Sequence, residues 1–368
     1  MKRSVVVADE RDIRLPDLVM ASATEELRAR DAAIERGLEF VYRFGSEGER
    51  FANYGSFLIC CFVLVGATSR NPKLRRLGRD RAKHLLRRWS RMHPSLPSAA
   101  TSDLLLEFVL VRYALSRIGV RDPAGASQIR DVTRRFSALD LLGFEPVTEP
   151  PPDDLPYPCD CSFQNPRGRK VCKQCKRRLR IQSRYRVWME ALANTYVAER
   201  CGVLFGARYA DVLKWMPFMR PYPVSDQCGE EVVRDAIYAV THIVYTLNDY
   251  NTYRLSPRWL PREFAYLKAN VETACAQHDA ELLGELLDSL KAFGLPARHP
   301  LIQRGTGYLL TEQNEDGSWG DPQEENLRRR CHTTWTAIDG LRSLAWRGER
   351  LSLPALKPLL KRTVTERS

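Results

Sequence analysis

Residues 304–321 read RGTGYLLTEQNEDGSWGD, and after a charged gap residues 331–341 read CHTTWTAIDGL. The first stretch has the pattern of a helix with a built-in stop. An apolar run (Tyr308, Leu309, Leu310) meets Gln313, and Asp316-Gly317 then supplies the turn residues that end a helix. Trp319 follows within reach of Gln313, so an indole can pack over an amide that itself bonds the freed backbone. The second stretch sets Trp335, Ile338 and Leu341 at helical spacing, the pattern of a buried helix, with His332 at its mouth. Together they predict a hairpin of one amphipathic and one apolar helix.

The same hairpin recurs back along the chain. Amphipathic 32–44 precedes apolar 51–67, and strongly basic 73–92 precedes apolar 103–118. Residues 127–142 find their apolar mate at 184–200, across an insertion. Then 209–219 precedes 231–250, 261–278 precedes 280–293, and 299–313 precedes 332–346. Six outer–inner pairs, none able to bury its own apolar helix, predict stacked repeats. Their expected closure is an all-α (α/α)6 toroid, its halves at 1–145 and 183–368 flanking an insertion at 146–182.

The pairing of Arg304, Gly305, Tyr308, Gln313, Gly317 and Trp319 resembles the QW repeat of the terpenoid cyclase and protein prenyltransferase superfamily. That resemblance implies the same α/α toroid. The segment CHTTWTAIDGL is similar to the YHTxYxLxGL segment of protein prenyltransferase β-subunits, and the resemblance implies a zinc-ligating role for His332. The Asp-x-Cys pair that completes the zinc site in that family is absent. So are the Asp-x-Asp-Asp and Asp-Asp-x-x-Asp clusters of its cyclases; the nearest acidic pairs are Asp153-Asp154 and Glu230-Glu231. No Walker loop, G-x-G-x-x-G or G-x-S-x-G is present, so nucleotide hydrolysis and serine-esterase chemistry find no support.

The insertion breaks the helical pattern. Its lead-in, PVTEPPPDDLPYP (146–158), is too proline-rich for a helix. Cys159, Cys161, Cys172 and Cys175 follow as C-x-C, ten residues, C-x2-C, two close pairs that suit a structural zinc in a knuckle. Four thiolates fill the shell, so the ion would be closed to substrate, and in so short a segment it would supply the folding energy. The N-terminal residues fit neither a signal nor a transit peptide, and the apolar run near 57–67 fits a core helix. These readings predict a cytoplasmic protein without a membrane span, its ten cysteines serving as ligands or core residues.

A formal charge of +12 over 368 residues favours acidic partners. The excess concentrates in 70–91 and 167–186. An acidic carrier protein suits both stretches; nucleic acid is the weaker fit, because the basic runs lack interleaved aromatics.

In a toroid, polar residues that interrupt inner helices converge on the central cavity, where they cost folding energy unless paired or coordinating. His242, Glu285 and His332 form a two-imidazole, one-carboxylate set suited to iron, or to zinc as a Lewis acid. Glu107, Glu190, Tyr245 and Asp288 are the accompanying catalytic candidates. The first expectation is therefore a metal-dependent enzyme, iron favoured, acting on a small, partly apolar substrate in specialised metabolism. A terpenoid cyclase or prenyltransferase-like enzyme is the alternative, and a non-enzymatic zinc-knuckle binding protein the third reading.

Overall fold

The computed structural model describes residues 23–161, 163–224 and 228–361. Among them the regular elements are helices, and β pairing is limited to isolated bridges such as Ser69 with Leu344. The expectations for the extreme N-terminus lie outside the described residues.

The all-helical expectation is borne out, but the expected 209–219 helix is two short helices and the expected 332–346 helix runs from Leu327 to Leu341. α1 (Ala23–Gly45) precedes α2 (Gly48–Thr68), which is buried on nearly every side. By length and composition α2 could cross a membrane, but 72% of its most apolar window is packed inside the protein. α3 (Pro72–Met92) starts with Pro72 behind an Asn71 cap, whose side chain accepts from the Lys73 amide. It buries a single stripe that includes Leu74, Gly78, Ala82, Leu85 and Trp89. α4 (Ser102–Arg117) follows.

The expected helix at 127–142 is two helices, α5 (Pro123–Thr133) and α6 (Ala138–Leu142), because Ser137 opens a new capping box with Asp140. After the insertion come α7 (Arg184–Arg200), α8 (Tyr209–Leu213), α9 (Met216–Met219) and α10 (Glu230–Leu247). The expected 261–278 helix divides at Asn270 into α11 (Pro261–Ala269) and α12 (Val271–Ala276). α13 (Ala280–Ala292), α14 (Pro300–Thr311) and α15 (Leu327–Leu341) complete the pairs, and a 3-10 turn leads into α16 (Lys357–Leu360).

Packing follows chain order through the apolar helices: α2 on α4, α4 on α7, α7 on α10, α10 on α13, α13 on α15. α15 then meets α1, whose hairpin mate is α2. Phe57 of α2 lies 4.5 Å from Trp335 of α15, ring centre to ring centre, and the Ala345 amide donates to the Thr68 carbonyl at 2.8 Å. α13 and α15 approach closest at two glycines. A Cβ on Gly284 would collide with the Thr336 carbonyl, and one on Gly340 would lie 2.8 Å from the Gly284 Cα.

The stretch at 304–321 ties the last hairpin to the first. Gln313 Nε2 donates to the Gly317 carbonyl and to the Ala33 carbonyl of α1, both at 2.9 Å. Trp319 is fully buried, and its Nε1 donates to Leu309 O at 2.7 Å, satisfying a carbonyl that the helix end leaves free. Gly317 takes φ 90°, and a Cβ there would also press on the Arg36 carbonyl.

Among its described residues the insertion has no helix. It docks through Arg184 on Asp153, Arg180 on Glu231, and the Trp215 indole on the Pro146 carbonyl. The main core is continuous across the segments before and after it.

Candidate metal centre and central polar cluster

Four cysteines make the first candidate site. The Sγ atoms of Cys159, Cys161, Cys172 and Cys175 all lie within 4.8 Å of one another, with Cys159–Cys175 at 3.4 Å and Cys161–Cys172 at 3.7 Å. A tetrahedral ion with metal–sulfur bonds of about 2.3 Å needs sulfur–sulfur edges of about 3.8 Å, so the quartet fits. Loop geometry explains the approach. Lys176 adopts φ 63°, which folds the C-x2-C turn back on itself. Asn165 clamps that turn, its Oδ1 accepting from the Lys173 amide at 2.9 Å while its Nδ2 reaches the Cys172 sulfur at 3.4 Å. Burial would raise the Cys172 pKa, but donors including the Cys175 amide and the Asn165 side chain outweigh it and bring the thiol to about 6. Leu179 and Phe163 are the apolar packing around the sulfurs.

The second candidate lies around the first turns of α13, where it packs between α10 and α15. From α15, His332 Nδ1 stands 3.1 Å from Glu281 Oε1 of α13. Glu281 is gripped further by the Tyr238 hydroxyl at 2.7 Å and the Thr333 hydroxyl at 3.2 Å, with Arg234 at 3.8 Å. One helical turn along α13, Glu285 Oε2 accepts from the Thr241 hydroxyl at 2.5 Å and lies 3.9 Å from His242 Nδ1 of α10. His242 Nδ1 is 2.8 Å from the Tyr238 carbonyl. A carbonyl only accepts, so Nδ1 carries the proton and Nε2 of the neutral ring is left as the base.

The two imidazoles are driven apart electrostatically. Burial pushes His242 down to about 3, and the positive charges of Arg186 and His332 add to that, against the opposing hydrogen bond to Tyr238. Burial also acts to lower His332, but the Glu281 carboxylate overrides it and raises the ring above its ordinary value. Glu281 is held far below the usual carboxylate range: burial opposes this, but His332, Tyr238 and Arg234 dominate. Glu285, fully enclosed, is raised to about 7 by burial. Both histidines sit deep in the fold, yet their side chains keep 20% and 32% exposure. Aromatic rings flank them. Phe57 and Trp335 lie 5.7 and 6.4 Å from His332, and Tyr245 lies 5.5 Å from His242.

The sequence-based set of His242, Glu285 and His332 is thus gathered into one polar cluster, though its candidate donor atoms are not all within 4.8 Å of one another. Among the described residues, the cysteine quartet is the one group of three or more such side chains with every donor atom within 4.8 Å. Two hydrogen bonds explain why: Glu285 is turned onto Thr241, and His332 is turned onto Glu281. Of the companions, Tyr245 joins the cluster through a 3.5 Å contact from its hydroxyl to the Glu285 carbonyl. Glu107, half-buried on α4, is raised to about 7 by burial and by Asp103. Glu190 is engaged by Arg186 at 2.8 Å. Asp288 lies about one turn beyond Glu285 on α13, within electrostatic reach of Tyr245, in a buried network with Asn251 at 2.6 Å and Lys291 at 4.0 Å.

Reading the sequence passed over Glu281, Tyr238 and Arg234. The signal was present as a four-residue spacing on each helix, Glu281/Glu285 on α13 and Tyr238/His242 on α10. Neither a family model nor a curated protein matches this chain.

Proposed function

We propose that the chain is an α/α-toroid enzyme that moves protons on a small, partly apolar substrate, with a structural zinc in the cysteine knuckle. The observation that carries this reading is the geometry of two histidines on either side of α13: His332 Nδ1 lies 3.1 Å from the Glu281 carboxylate and His242 Nδ1 lies 2.8 Å from the Tyr238 carbonyl, surroundings that shift the two pKa values in opposite directions. Groups pushed apart in this way serve as acid and base. His332, charged through its pairing with Glu281, is the donor. His242, neutral and with Nε2 free of its own proton, is the acceptor. Glu285 stands between them as a protonatable relay.

A proton delivered to an alkene and another removed from the resulting cation balance to an isomerisation or cyclisation. Faces of Phe57, Trp335 and Tyr245 would stabilise the positive charge in between. This is the cyclase-like alternative of the superfamily resemblance, with His332 doing the work that the cyclases give to an aspartate cluster. The packing sequence from α2 round to α15 and α1, with the tie from Gln313 to Ala33, supports a closed toroid. The sulfur spacing and the four-thiol donor set favour zinc.

The test is to offer the protein isoprenoid alkenes, epoxides and diphosphates in D2O and to follow deuterium in the products by mass spectrometry. The proposal expects deuterated product from the native protein and a loss of roughly 10²- to 10⁴-fold in His332→Asn and in His242→Ala, the range for general acid–base groups. Asp288→Asn should retain turnover. Product formation that survives both histidine changes would overturn the assignment.

A further inference from the structure

A groove of about 660 Å³ lies between the solvent face of α3 and the C-terminal end of α4. Leu115, Ile118 and Val120 form an apolar side, and Lys83, Arg87 and Arg91 line the other. The three cations recur every four residues, so they make one stripe along α3. The other basic face of the helix is already used: Lys73 pairs with Glu35 at 2.7 Å, Arg81 pairs with Glu39, and Arg88 caps the Ser46 carbonyl, all on or beside α1. Among the described residues, Lys83, Arg87 and Arg91 have no carboxylate partner, and no acidic side chain lines the groove. Val120 is 47% exposed at its edge.

From this arrangement we infer that the groove docks an acidic amphipathic helix of a partner protein. The stripe spans about 12 Å, eight rises of about 1.5 Å from Lys83 to Arg91, which is too long for one phosphate to satisfy. It matches carboxylates spaced along a second helix, and the apolar side would take that helix's aliphatic stripe. A nucleic acid would gain nothing from the aliphatic wall, which offers no ring for a base to stack on. The inference is independent of the proton-transfer proposal, because the groove lies outside the central cluster.

The probe is a fluorescein-labelled synthetic helix with leucines on one stripe and glutamates flanking it, titrated against the full chain by anisotropy. Binding should weaken about ten-fold or more in Arg87→Glu/Arg91→Glu and also in Val120→Ser, and should be unaffected by Arg169→Glu on the knuckle. A carbodiimide cross-link from the probe to Lys83 in the unaltered protein should form, which keeps the test independent of variant folding. Equal binding of a composition-matched scrambled helix, or unchanged affinity in the groove variants, would overturn the proposal. So would binding of phosphatidylglycerol vesicles or single-stranded DNA through these residues when the helix does not bind.

Discussion

Two forces compete at His332, and experiment can separate them: burial, which expels charge, and the Glu281 carboxylate, which holds it. A raised histidine pKa adds stability below the unfolded value, and that stability is lost as pH rises through the folded one. A depressed glutamate pKa adds stability above the unfolded value, lost as pH falls through the folded one. The pair therefore stabilises most between about pH 4.5 and 6.5, the ordinary values of the two groups. Glu281→Gln should lower the melting temperature most in that window, and the deficit should shrink on both sides. A deficit independent of pH would mean that Glu281 acts through packing alone. His332 and Glu285 could be read from the sequence because each interrupts an apolar helix. Glu281 carried only the signal of its four-residue spacing from Glu285, because an acid in the first turn is ordinary for any helix and only the fold shows what it faces.

For whole elements, the sequence pattern served best where burial imposes it. α7 appears with the expected bounds, and α10 and α13 within a few residues of theirs, because an inner helix is apolar on most faces. Outer helices were less legible. α5/α6 and α11/α12 divide where a local cap or an asparagine competes with continuation, and propensity sums do not resolve such breaks. The close passage of α13 and α15 was invisible in the sequence, since Gly284 and Gly340 look like mild helix weakeners until the partner helix is placed. Gly284→Ala should destabilise the fold by about 1–3 kcal/mol, the overpacking range, although alanine is the better helix former. Chemical denaturation gives that number, and a stabilised variant would show that the two helices are not held in contact.

Across the whole molecule, two features of different origin coexist. One is a helical body whose last hairpin is tied to its first through Gln313, Trp319 and α1. The other is the loop that gathers Cys159, Cys161, Cys172 and Cys175, which has little apolar packing of its own and which an ion bound to the thiols would help to hold. The all-helical class and the cysteine quartet were legible because both depend on local spacing. The central site was legible only in part, because three helices distant in sequence decide whether a histidine meets a metal, a carboxylate or a carbonyl.

With metal proposed at the cysteines and proton transfer at the histidines, metal content measured on the purified chain by mass spectrometry tests that division most directly. One zinc per chain is expected, kept in the His242→Ala/His332→Ala double variant and lost in Cys172→Ser/Cys175→Ser. A second ion, iron or zinc, that disappears with the two histidines would contradict it.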